Sequence, residues 1–373
     1  PLTVELSTRQ LSVAEISALR ADLFTQTGNR KGAEPLLAEA LRLEPSLGPA
    51  RETKSLLGLL EGGDGRALIE DFKAAARANP VEFAPHYYLG TLLIETKTST
   101  SQGEEELKKC LSLNPIFAPA LASLAALRLQ QNGDLQEGLS WATRAYDLEP
   151  QSLANSIVLV RLLRRVGSAA VADSVERRLL RRAREDPNNL ATVVAYLKEE
   201  KRGPEAEALL RKSSQLHPKS VAAARSLGFF LSGEKRYDEA DPVFREALSL
   251  APDDSATLNS LGYMNANREF QVEEALGMID KALSLRPGNA SYLDSRGWAL
   301  YRLKRLPEAE EALRQAEAKG HDAVILDHLG DVLAARGATK EARDSWSQAL
   351  VSADPELAAA IRRKLDAPSP ESR

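Results

Sequence analysis

The chain is 373 residues long, with 49 Lys and Arg against 53 Asp and Glu, so its formal net charge of -4 gives no global attraction to nucleic acid or to anionic membranes. A single cysteine, Cys110, excludes an internal disulfide and a cysteine-cluster metal site. No run approaches the roughly 18 apolar residues of a membrane-spanning helix, and a composition that is 43% hydrophobic but only 5% aromatic favours helices packed through small side chains.

In chain order, the opening PLTVELSTRQL alternates in hydropathy like a short strand. The first residue is Pro1 rather than Met and no charged-then-apolar leader precedes it, which predicts a fragment or a processed form. Residues 1–13 therefore read as a lead-in from an upstream domain. From residue 14 onward, apolar-periodic segments end at Pro45, Pro80, Pro115 and Pro150, spaced 35 apart. Proline cannot continue a helix and biases its predecessor out of the helical region, so each marks a helix stop. The glycines of EGGDGRA, residues 61–67, supply a turn between helices. An insertion delays the next stop to Pro187, and Glu176 stands where an aromatic residue or a leucine is expected. The series then runs through Pro218, Pro252 and Pro287, with Pro355 near the end.

The second half carries a further signal. Gly228, Gly262, Gly297 and Gly330 recur at intervals of 34, 35 and 33, each inside a predicted helix. A mid-helix glycine costs about 1 kcal/mol relative to alanine, so a helix that keeps one needs room that a methyl group would fill. Gly297→Ala is expected to be mild if a methyl fits and Gly297→Leu to overpack. A fixed period of this length is the signature of stacked helical pairs. Residues 14–186 form five degenerate units and residues 187–356 five regular ones. Within 357–373, a last helix from ELAAAIRRKL covers the open apolar end, and DAPSPESR is disordered by composition.

The cleanest copy is residues 221–254, with Leu227 and Gly228 on the first helix, Tyr237 at the turn, Ala240, Phe244 and Ala247 on the second, then Pro252. Position for position these residues resemble the tetratricopeptide repeat, strongly from 187 onward and more weakly before. Gly262, Ala275, Ile279 and Ala282 repeat the pattern, followed by Gly297, Ala309, Leu313 and Ala316, and then by Gly330, Ala342, Trp346 and Ala349. One unit departs from it, with Asn265 in place of a large apolar residue and one extra residue in NANREFQVEEA. The resemblance implies an all-α, right-handed superhelical α-solenoid of about ten helix-turn-helix units. The block LGYMNANREF to GWALYRLKR is similar to bacterial envelope repeat lipoproteins, some of which hold a processing protease near its substrates. That implies an exported protein of the cell envelope, with a cytoplasmic one as the alternative. The opening segment resembles the stretch joining a peptidase-like domain to trailing repeats.

Catalytic chemistry is sparse. His86, His217, His321 and His328 form no HExxH or other metal-ligand spacing, and neither GxxxxGK[ST] nor GxSxG occurs, so no enzyme, metal or cofactor is expected. His321 and His328, seven apart with Asp327 beside the second, are read as a capping and an exposed histidine rather than an acid-base pair. Arg177, Arg178, Arg181 and Arg182 belong to a run of eight arginines between 161 and 184. The run reads first as a solvated helix face and next as a patch for an acidic protein. Nucleic acid is disfavoured because the stretch lacks aromatic residues for base stacking.

The glycines point to the remaining candidate. The residue after each is Phe229, Tyr263, Trp298 and Asp331, and the residue three before each is Arg225, Asn259, Asp294 and Asp327. By helical spacing these share a face distinct from the packing stripe. The family resemblance implies that this face lines a concave groove for peptides; the alternative is that the aromatics fill gaps between units. A non-catalytic scaffold or adaptor is expected, binding an extended protein segment whose Lys or Arg residues meet Asp294, Asp327 and Asp331. The alternative is the regulatory or substrate-recruiting region of a larger peptidase-like enzyme. Partner identity and oligomeric state are not legible in the residues.

Overall fold

The computed structural model describes residues 12–27, 29–60, 65–320 and 322–366, and among them the regular structure is helical, with no strand. The expected lead-in strand and the C-terminal DAPSPESR lie outside the described residues, except for Ser12, Val13 and Asp366 at their inner edges. The chain divides into two compact units, residues 1–179 and 180–373.

The first unit holds α1 (Val13–Gln26), α2 (Arg30–Leu43), α3 (Gly48–Leu60), α4 (Gly65–Ala78), α5 (Phe83–Glu95), α6 (Thr100–Leu113), α7 (Ala118–Gln131), α8 (Leu135–Leu148), α9 (Leu153–Arg165) and the start of α10 (Ala169–Glu185). From α1 to α8, each odd-numbered helix packs on the even-numbered helix that follows, and each pair then packs on the next. Local sequence sets the starts. Ser12 accepts from the Glu15 backbone N–H while the Glu15 carboxylate accepts from the Ser12 N–H, a reciprocal capping box, and Ser99, Asp134 and Ser152 cap α6, α8 and α9. The core between α1, α2 and α3 is built from Ala14, Ala18, Ala21, Ala33, Ala40 and Ala50, all buried, as the small-residue composition implies. Close approach is tightest at α5 and α6, where a Cβ on Gly90 would stand 2.8 Å from the Gly103 carbonyl oxygen and one on Gly103 would stand 2.7 Å from that of Gly90. Glu176, out of pattern in sequence, is buried and bonded to the Arg164 guanidinium at 2.7 Å.

The second unit continues from the end of α10 through a 3₁₀ turn (Pro187–Asn189) to α11 (Leu190–Glu199), α12 (Gly203–Leu216), α13 (Val221–Gly233), α14 (Tyr237–Leu250), α15 (Ser255–Asn267), α16 (Val272–Leu285), α17 (Ala290–Arg302), α18 (Leu306–Glu317), α19 (Ala323–Ala335), α20 (Thr339–Ala349) and α21 (Pro355–Asp366). The insertion before Pro187 is absorbed as extra length in α10, which has 17 residues.

Inside the pairs, the turn carries a device that composition does not reveal. Lys97, Asn132, Gly167, Lys201, Lys235, Glu269, Lys304 and Gly337, spaced 33 to 35 apart, all adopt left-handed backbone, and only two are glycine. The residue after it returns its N–H to the helix: Arg202 to the Leu197 carbonyl, Arg236 to Leu231, Arg305 to Leu300 and Ala338 to Leu333, at 2.8 or 2.9 Å. This is the Schellman closure, whose bond to an otherwise orphaned carbonyl offsets the steric cost of a Cβ in that region.

The glycines of the second unit sit where their helices cross. A Cβ at Gly262 would lie 2.8 Å from the Ala275 carbonyl oxygen, and one at Gly297 would lie 2.5 Å from Leu313 Cγ and 3.2 Å from the Ala309 carbonyl oxygen. No methyl fits at Gly297 without displacement, so the condition for a mild alanine is not met. The alanine's propensity gain of about 1 kcal/mol is set against an overpacking cost of roughly 1–3 kcal/mol. Gly297→Ala should therefore melt below the wild type and Gly297→Leu lower still; an alanine variant that melts higher in thermal circular dichroism would contradict the crossing geometry.

Glu52 on α3 generates a second prediction. Burial first, then the Glu82 and Asp22 carboxylates, push its pKa up to about 7 from 4.5. The native state then binds a proton that the unfolded chain does not between those values, so this group's contribution to stability falls as pH rises toward 7 and beyond and is regained as pH drops toward 4.5. Glu52→Gln should raise stability at pH 8 and flatten its dependence between pH 5 and 8, measured by denaturant titration at both pH values.

Candidate functional site

In the second unit the first helices of successive pairs are neighbours: α13 beside α15, α15 beside α17, and α17 beside α19. The predicted face residues lie along them in very different environments. Phe229 on α13 is 47% exposed and meets Phe244 of α14 edge-on at 5.8 Å. Tyr263 on α15 is half-buried, and burial first, then the Asp294 charge, push its hydroxyl up to about 12. Trp298 on α17 is only 8% exposed.

What joins Tyr263 and Trp298 is a residue read differently from sequence. His328 is neither a cap nor exposed: it is buried on α19, where its ring stacks on Trp298 at 4.2 Å and lies 6.3 Å from the ring of Tyr263. Its Nδ1 donates to the Asp294 carboxylate at 2.8 Å. His321, its expected companion, lies outside the described residues. Tyr301, 5.2 Å from Trp298, and the Arg302 guanidinium, 4.7 Å from the indole centroid, complete the cluster.

The charged members are already engaged within the chain. Asp327 and Asp331 both accept from Lys364 Nζ of α21, Asp327 at 2.8 and 2.9 Å through its two oxygens and Asp331 at 2.8 Å. Burial raises the Asp331 pKa even though the Lys364 charge opposes it. Arg225 donates to Asp254 at 2.9 and 3.1 Å, steadying the carboxylate that caps α15. The carboxylates expected to receive a partner's cation are thus satisfied from inside the chain. Asn259 keeps a buried Oδ1 with no hydrogen-bond partner among the described residues.

Lys364 was overlooked in sequence although its signal was there: it follows Gly330 by 34 residues, so it continues the glycine series with a long cation. His328 carried no such mark, because nothing in local spacing says which neighbour a buried imidazole meets.

The other candidates separate. Arg177, Arg178 and Arg181 are exposed on α10, with the Arg178 guanidinium 5.6 Å from the Tyr146 ring centroid, while Arg182 is half-buried. His86 is buried and bonded through Nδ1 to Glu106 at 2.5 Å, and burial pushes the Cys110 thiol up to about 11. Among the described residues no group of three His, Cys, Asp or Glu converges as a metal site, and no helix is long and apolar enough to cross a membrane.

Paired helices with a glycine crossing, a left-handed turn and a proline stop, repeated every 33 to 35 residues, are the geometry that comparison with known families identifies. A model described as tetratricopeptide repeat-like domain matches residues 271–369, and one described as tetratricopeptide repeat matches residues 226–254. Residues 226–254 and 271–369 carry tetratricopeptide repeats. A protein of Pseudomonas aeruginosa named TPR repeat-containing protein PA4667 is 41% identical over 69 residues, which are 18% of this chain and 12% of that protein, so the likeness spans a small part of either. Yeast Tom70 superposes with a TM-score of 0.50 at 12% identity, covering 95% of this chain and 88% of its own, a likeness of fold. TTC0263, a thermophilic TPR protein of Thermus thermophilus, gives 0.44 at 20% identity over 48% of this chain and 99% of its own.

The Lys364 contacts generate a prediction. Removing the cation from partly buried carboxylates leaves uncompensated charge and costs about 1–3 kcal/mol. Lys364→Ala should destabilise the second unit by that order in denaturant melts, and adding Asp327→Asn with Asp331→Asn should recover part of the loss. A Lys364→Ala chain as stable as wild type would show that the ammonium is not needed there.

Proposed function

We propose that this chain is a non-catalytic scaffold that holds an extended segment of a partner protein against the first-helix face of its second unit. Tetratricopeptide repeats are an architecture suited to protein-protein interaction, and the finer reading rests on one observation. The aromatic row is open at Phe229 and closed toward α21, where His328, Arg302 and Lys364 cover Trp298 and the aspartates. A large aromatic side chain 47% exposed on a packed helix is an anchor of the kind that dominates interface energetics. The partner segment this favours is apolar or aromatic where it meets Phe229 and Tyr263, with no requirement for Lys or Arg, because Asp294, Asp327 and Asp331 already have partners.

The reading separates binding from stability. Phe229→Ala should leave thermal unfolding within a few degrees of wild type yet weaken capture of the native partner, isolated from the source cells with wild-type chain, about tenfold or more, a loss of at least ~1.4 kcal/mol. Trp298→Ala should instead lower stability as well, since its ring is buried against His328. Undiminished capture by Phe229→Ala would move the interface elsewhere.

A further inference from the structure

The first helix of the first unit presents a face that its counterparts bury. Helices α3, α5, α7 and α9 each pack on the pair before them, and each buries two residues seven apart: Ala50 and Leu57, Pro85 and Leu92, Ala120 and Leu127, Asn155 and Leu162. Every one of these eight is buried, none more than 5% exposed where a value is resolved. They recur at intervals of 35; α1 is brought into register by its buried Ala21, which stands 34 residues before the buried Ser55 of α3, and the same shift from Ala50 and Leu57 leads to Ile16 and Leu23 of α1. Ile16 is 45% exposed and Leu23 57%, with Leu19 between them at 54% and Val13 one turn before at 62%. The opposite side of α1, carrying Ala14, Ala18 and Ala21, is packed on α2 and α3 as in the other pairs.

A repeat that ends an array in water needs a polar outer face. Helix α21 exposes Arg362 and Arg363. Helix α1 instead exposes four large aliphatic side chains, two of them, Ile16 and Leu23, in the register of an inter-repeat contact. We infer that this face is an internal repeat interface, covered by a further helix of the same polypeptide that lies N-terminal to Ser12. Two observations favour that occupant over a separate molecule. The face is continuous in position and spacing with the interfaces that α3, α5, α7 and α9 make with the pair before them. Four side chains on one helix are far fewer than the roughly 20–30 residues a side of a stable free-standing complex, whereas a tethered helix needs far less because its association is intramolecular. The covering helix would present small apolar residues toward Ile16, Leu19 and Leu23, as α2 presents Ala33, Leu37 and Ala40 within its own core.

The test compares the chain of residues 1–373 with the natural polypeptide as the cell makes it. Leu19→Cys is introduced into both, with Lys31→Cys on the exposed part of α2 as the control; the native Cys110 is buried and leaves the background low. The Leu19→Cys thiol should react with a maleimide at least tenfold more slowly in the natural polypeptide than in residues 1–373, while the Lys31→Cys thiol reacts equally fast in both. Equal, fast labelling of Leu19→Cys in both would overturn the inference. So would slow labelling in residues 1–373 that speeds up on dilution, since a second copy would then be the occupant. A second variant guards against misfolding of the first: Leu23→Glu should lower the melting temperature of the natural polypeptide and leave that of residues 1–373 unchanged. No change in either chain would count against a covering helix.

Discussion

The structure depends on how closely two helix backbones can cross within a pair. At Gly262 and Gly297 the distances from a would-be Cβ to the facing carbonyl oxygens, 2.8 and 3.2 Å, leave no space for a side chain, and the alanines opposite, Ala275 and Ala309, are fully buried. Interiors are packed as densely as organic crystals, so a crossing set by hydrogen and methyl groups has little capacity to relax. That closeness puts Ile279 and Leu313 fully into the core. The exposed, half-buried and buried aromatics at Phe229, Tyr263 and Trp298 follow from the same crossing repeated along the unit, each meeting a different next neighbour.

Because every pair has two interfaces, the ends of an array pose a chemical problem that its interior does not. Helix α21 places Ile361 in the core while Lys364 reaches back to Asp327 and Asp331. Its ammonium supplies the hydrogen bonds that two partly buried carboxylates require. The same contact limits what can bind nearby, since a partner cation would have to displace one already held by three short hydrogen bonds. The candidate interface is therefore weighted toward Phe229, where the row of aromatics remains open.

The polar residues inside the repeats are handled one at a time. Glu176 has Arg164, Asp294 has His328, and the Asn265 Oδ1 accepts from Arg268 at 3.1 Å. Each departs from the apolar pattern, and each is compensated by a residue on the same pair or the next, as burial of a polar group demands. Glu52 is surrounded differently: burial and the Glu82 and Asp22 carboxylates push its pKa up to about 7.

The periods of proline and glycine were enough to place the helix pairs, the stops and the crossing positions, because proline geometry and the absence of a Cβ act locally and carry the same meaning wherever they occur. The spacing of Gly228, Gly262, Gly297 and Gly330 also identified Phe229, Tyr263 and Trp298 as one series. Whether a member of that series is exposed was decided only in three dimensions, because Trp298 is buried by His328 from the following pair, a residue 30 positions away whose role no local pattern announces. The pairing of Asp327 and Asp331 with Lys364 was hidden for the same reason, and so was the exposure of Ile16 and Leu23. Each depends on which helix lies alongside, and that is a property of the stacked chain rather than of any one repeat.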